Sequence, residues 1–200
     1  MQWRHLLFAI VAFVAVCQGY QHWRLRPLHP ADGEIAPDEP VQTEVSGLAE
    51  TAIGRWKLTP RAHYDITARI LSREDYHFDP ISDLIPEDLA LGWGPMSNNT
   101  ILRGFDISQG ARFYTWRPIG ALPIPRETVI EHSANTHVIP ATALVRRELG
   151  ALRVGQVVRL QGYLVDGNRD DGAYIRTSMT RADTGAGACE VVLVDEVDVQ

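Results

Sequence analysis

The chain has 200 residues, 45% of them hydrophobic and 22% charged, with a formal net charge of -6. That balance is the composition of a folding domain and excludes a disordered tail, while the acidic surplus supplies no general positive field and makes nucleic acid an unlikely partner. Of the two cysteines, Cys17 falls in an apolar leader, so the rest of the chain holds a single thiol, Cys189, and no internal disulfide is expected.

From Leu6 to Val16 every residue is Leu, Phe, Ala, Ile or Val, preceded by Arg4 and His5 and followed by Gln18 and Gly19. An unbroken apolar run at the N-terminus reads as a signal anchor or signal peptide over residues 1–23. The run is shorter than the about 20 residues that cross a bilayer, and Trp3, Tyr20 and Trp23 extend it as interfacial aromatics. The reading adopted is an uncleaved transmembrane helix, with membrane contact over residues 3–23. It makes a single pass through a bacterial inner membrane, and the domain stands in the periplasm. Cleavage after Cys17, lipidation of Cys17, and a leader packed as a core helix in a cytosolic protein are the alternatives. Val16 argues against lipidation, because a small residue belongs directly before a lipidated cysteine.

Residues 24–50 carry Pro27, Pro30, Pro37 and Pro40 among Asp32, Glu34, Asp38, Glu39 and Glu44. Prolines that fix φ and like charges that repel predict a semi-extended linker with little packing of its own. The globular domain is assigned to residues 51–200. Tyr64, Ile66, Ala68 and Ile70 alternate with polar residues, which predicts a strand with one buried face. Residues 112–117 are β-prone by composition. Leu91 to Ser97 set Trp93 between two glycines, where it is expected to plug the end of a barrel.

Farther on, Pro140 at a first-turn position with Ala143, Leu144 and Leu149 predicts a helix closed by Gly150. Val158, Leu160, Gly162 and Leu164 share one parity of a strand, and Tyr174 to Ser178 is its expected hairpin partner. Cys189 to Val194 form the last strand, with Cys189, Val191 and Leu193 on one face. Gly155 and Gly162 supply a turn and a bend. Together these predict a mainly β domain with one or two short helices, and a small OB-like or related β-barrel as its architecture.

Three segments are chemically suggestive. His132 and His137 frame His-Ser-Ala-Asn-Thr-His, but five residues put two imidazoles on opposite faces of a strand, or about 140° apart on a helix, so a metal site would need a turn between them. Ser133 and Asn135 fit a loop that satisfies its own backbone. The hydroxyl-rich stretch from Arg176 through Arg181 to Asp183 suits a carboxylate or phosphate. A nucleophile could be assembled from Cys189 with His132 or His137 and an aspartate, yet no spacing marks one and the Gly-x-Ser-x-Gly elbow is absent. Gly185 to Cys189 reads as a flexible approach to a strand carrying a buried thiol.

Ala90 to Ser97, His132 to Ala141, and Thr177 to Arg181 with Asp183 to Glu190 resemble segments of a group of small bacterial membrane-associated proteins with no known activity. The resemblance spans residues 60–195 and implies a bacterial source and a membrane tether. It carries over no functional residue. The expectation is a membrane-tethered, periplasm-facing binding or interaction module. It uses no cofactor, assigns no residue to catalysis or metal binding, and has an envelope protein as its partner. His132, Asn135, His137, Arg176, Arg181 and Asp183 are its candidate ligand-binding residues. The contrasting expectation is a metal-dependent or nucleophilic hydrolase using His132 and His137, with Asp183 alongside.

Overall fold

A computed structural model describes residues 2–200. The chain opens with helix α1 (Gln2–Arg24). Among the described residues no helix is long and apolar enough to cross a membrane, so the expected transmembrane helix is not found. The uninterrupted apolar run rises only about 16 Å against a hydrocarbon core of about 30 Å. Nor is the helix packed into a core, for Phe8 is 77% and Phe13 70% exposed. The side chains of Arg4, Cys17 and Arg24, on which membrane orientation and lipidation turn, lie outside the described residues.

After α1 come β1 (Val41–Glu44), β2 (Thr51–Ile53), the long β3 (Trp56–Asp75) and β4 (Glu87–Gly92). A 3₁₀ turn at Gly94–Ser97 leads to the short α2 (Asn99–Leu102), the hairpin β5 (Phe105–Gly110) and β6 (Phe113–Pro118), and α3 (Arg126–Glu131). The chain ends with β7 (Ser133–Pro140), α4 (Ala143–Leu149), β8 (Val157–Arg169), β9 (Tyr174–Ile175) and β10 (Glu190–Val199). The protein is thus mainly β with few short helices. β3 pairs antiparallel with β4, β4 with β7, and β10 with β8, while β7 and β10 run parallel. β8 pairs again with β3 along Trp56 to Arg69.

β3 serves two neighbours by bending. Its register slips once between Pro60 and Ala62 and again between Ile70 and Ser72, and each extra residue kinks and twists the strand. Tyr64, Ile66, Ala68 and Ile70 face inward and are buried, as their alternation predicts, together with Leu89, Leu91, Val138, Val158, Leu160, Leu164, Val192 and Val194. Trp93 is fully buried in this cluster and its indole N–H donates to Glu39 at 2.9 Å.

α4 covers the same core with Val145 and Leu149, whereas Leu144 is 61% exposed and not part of the apolar stripe. Pro140 ends β7 instead of opening the helix. Thr142 is the cap, its hydroxyl accepting from the Val145 N–H. A threonine oxygen can satisfy a free first-turn donor, which proline cannot. The strand expected at Tyr174 to Ser178 narrows to β9, because Ser178 turns its hydroxyl to Thr180 and Asp183.

The stretch expected as a loosely packed linker is partly stitched to the sheet. The Leu28 N–H donates to Val154 O at 2.7 Å, the Ile35 and Ala36 amides donate to the Ser97 hydroxyl, and β1 pairs with β3. Gly155 makes the first contact feasible. It sits at φ +91°, and a Cβ there would come within 2.1 Å of the Leu28 carbonyl oxygen.

Candidate functional site

Strand register decides which side chains meet on the outer face of β4, β7 and β10. Asp88 lies opposite His137 across β4 and β7, and Val191 lies opposite His137 across β7 and β10. Side chains two apart share a face, so Asn135 and His137 stand beside Asp88 on one flank and beside Cys189 and Val191 on the other.

The β5–β6 hairpin closes over this face. Its two turn residues, Ala111 and Arg112, have φ of 50° and 69°, the left-handed geometry of a tight two-residue hairpin. Arg112 then reaches back to the sheet: its guanidinium donates to Asp79 at 2.7 Å, to Asp88 at 3.0 Å and to the Ile85 carbonyl at 2.9 Å. It also stacks 3.7 Å from the centre of the Tyr76 ring. A planar fork with this many acceptors holds a loop more firmly than a lysine could.

At the centre, His137 Nδ1 lies 2.8 Å from Asp88 Oδ1. Asp88 is fully buried and its other oxygen has no partner. Burial alone would lower the His137 pKa, but the Asp88 carboxylate that accepts at Nδ1 and the neighbouring Cys189 outweigh it and raise the imidazole to about 9. Asn135 completes the group. Its amide donates to the Arg112 carbonyl at 3.2 Å and to Cys189 Sγ at 3.5 Å, while its oxygen accepts from Gln109 at 2.7 Å.

Two clefts flank the group. One, of about 180 Å³, is lined by Tyr114, Trp116, Arg126, Asn135, Arg181, Asp183 and Cys189. Arg126 lies over the Trp116 ring at 5.2 Å. The other, of about 210 Å³, is lined by Arg112, Phe113, His137, Arg176, Cys189 and Val191. Phe113 and Cys189 border both. On the inward side of β10, Glu190 pairs with Arg181 at 2.7 Å. Burial, opposed by Arg181, pushes the Glu190 carboxyl up to about 7.

Five of the six candidates from the sequence line these clefts: Asn135, Arg181 and Asp183 the first, His137 and Arg176 the second. His132 stands apart. Its Nδ1 meets the Thr128 carbonyl and its Nε2 lies 3.2 Å from Glu39. His132, His137 and Asp183 therefore do not converge on one centre, since Asp183 accepts from Ser178 and His137 faces Asp88. Among the described residues no group of three or more His, Cys, Asp or Glu side chains is placed to hold a metal ion. Cys189 is only partly buried, so the buried thiol expected from the sequence is instead a cleft residue.

Sequence reasoning missed Asp88, Arg112, Tyr114, Trp116 and Arg126. Asp88 carried one signal, an acidic residue inside a strand that is buried along its whole length. The hairpin residues carried none beyond β-propensity. Comparison with models of protein families, with curated proteins and with solved structures finds no match.

Proposed function

We propose that the chain is an OB-like binding module held at a bacterial membrane through α1, taking a small ligand that joins an anionic group to a flat or apolar body. The strand pairing supports the OB-like reading. In the order first β3, second β4, third β7, fourth β8, fifth β10, the pairings run first, second, third, fifth, fourth and back to the first. The third and fifth are parallel, and α4 falls between the third and fourth.

One observation carries the binding reading: both clefts open against the third strand, between the hairpin that follows the second strand and the connection that follows the fourth. The third strand and the fourth connection are among the parts with which such barrels take ligands. Trp116 and Tyr114 offer ring faces, while Arg126 and Arg181 offer charge-assisted donors to a carboxylate or phosphate. Exposed apolar side chains on α1 support the membrane tether, because their exposure to water costs free energy that burial in lipid recovers. A leader that resembles an export signal supports the periplasmic side, where another envelope protein is the natural partner.

Benzoate, an aromatic carboxylate, tests the cleft. Titrated at millimolar concentration into isotope-labelled protein, it is expected to shift the amide signals of Trp116, Arg126 and Arg181, with about a tenfold loss of affinity in Arg126→Ala. Inorganic phosphate should shift the arginine signals alone. Benzoate shifts scattered over the surface, or unchanged in Arg126→Ala, would overturn the reading.

A further inference from the structure

We propose that Cys189 is a nucleophile, that His137 is its acid–base partner and that Asp88 positions the histidine, so that the site forms an S-acyl intermediate from an activated ester or thioester. The arrangement has the three parts such chemistry requires: a nucleophile, a base beside it in the same cleft, and a third group that orients the base. Asp88 accepts at His137 Nδ1, 2.8 Å away, which leaves Nε2 as the ring nitrogen open to the cleft that His137 and Cys189 line together, with Cys189 two residues before the Val191 that lies opposite His137. Asp88 is itself fixed by Arg112 at 3.0 Å. The sulfur borders both clefts, so an electrophile seated in either one can reach it.

Asn135 adds a donor in the right place. Its amide nitrogen is 3.5 Å from Sγ, so an oxygen carried by a carbon newly bonded to sulfur falls within reach of the same N–H₂. The thiolate attacks the carbonyl carbon, a C–S bond forms, and the carbonyl π pair moves onto oxygen. Collapse of that oxyanion breaks the bond to the leaving oxygen or sulfur, which takes the proton from His137. The products are S-acyl Cys189, an alcohol or thiol, and neutral imidazole. Water then adds to the acyl carbon as His137 takes its proton, and expulsion of the sulfur releases a carboxylic acid and closes the cycle. This chemistry needs the clefts but not the membrane tether, nor any affinity for benzoate, so either can fail while the other stands.

The charged groups facing the pair are Asp88 from β4, Arg112 from the hairpin turn and Arg176 beyond β9, with Arg126, Arg181, Asp183 and Glu190 lining the first cleft. The full chain is incubated with p-nitrophenyl acetate at about pH 6, where an ordinary thiol is almost wholly protonated, and acetylation is followed residue by residue by mass spectrometry. Cys189 is expected to acetylate on the order of 100-fold faster in the folded chain than in the urea-unfolded chain. His137→Gln should abolish that advantage, and Cys189→Ser should leave no adduct at the position. Asp88→Asn should slow the reaction about tenfold at that pH and move the half-maximal rate to higher pH, which loss of packing alone does not do. A folded Cys189 no faster than the unfolded one, or an undiminished rate in His137→Gln, would sink the proposal, and the wild-type comparison decides even if a variant fails to fold.

Discussion

At the scale of single residues, Glu190, Glu87 and His137 have pKa values moved upward within the range where proteins are handled, and all three act on stability in the same direction. Burial raises Glu190 and Glu87 to about 7, in each case against a neighbouring arginine, and the partners of His137 raise it to about 9. A group whose pKa is higher in the fold binds its proton more tightly there, so its contribution is complete below the unfolded pKa and is lost as pH rises through the folded one. For the two glutamates that window runs from about 4.5 to 7, and for His137 from about 6.5 to 9. The thermal midpoint is therefore expected to fall steadily from about pH 5 to pH 9 by on the order of 5 °C or more. Glu190→Gln should flatten the lower half of that slope, and a calorimetric profile with the wild-type slope intact in this variant would remove Glu190 from the account. The His137 and Cys189 segments stood out in the sequence, but their meeting did not. Asp88 and His137 are 49 residues apart, and only the register of β4 against β7 makes them neighbours.

At the scale of elements, the alternation in β3 and the parity of β8 and β10 were legible because each strand has one face on the core, and a period of two is visible in any one of them. The hairpin β5–β6 was half legible. Residues 112–117 read as β-prone, but nothing announced that Ala111 and Arg112 would form its turn without a glycine. The bend where β8 meets β10 rests on Gly162, where a Cβ would come within 1.9 Å of the Leu193 carbonyl oxygen. The β10 register slips between Val194 and Glu196, beside that contact. Gly162→Ala is expected to cost roughly 2 kcal/mol or more, since backbone must move aside to admit the methyl group. Gly172→Ala, with open space around it, carries only the smaller penalty of an unfavourable φ, about 1 kcal/mol. Equal losses for the two in urea unfolding would show that the Leu193 carbonyl yields freely.

For the whole molecule, the net charge of -6 and the exposed apolar side chains of α1 are the features that a membrane test must weigh. If α1 seats the protein in lipid, the full chain floats with vesicles of phosphatidylethanolamine and phosphatidylglycerol, while a chain beginning at Leu25 stays behind. Flotation of both, or of neither, would transfer the apolar helix to some other role. The mainly β architecture followed from composition and turn spacing, whereas the fate of residues 24–50 did not. Prolines and acids in sequence disfavour regular structure, but they do not say that Val41–Glu44 will pair with β3 or that a groove, such as the one beside Gly155, will hold the chain. That groove sets a leash. Between the end of α1 and the Leu28 bond to Val154 lie only Leu25, Arg26 and Pro27, about 10 Å of chain at full stretch. A protein moored by α1 would ride almost flush against its mooring, and its clefts could serve only molecules that come to the surface where it is fastened.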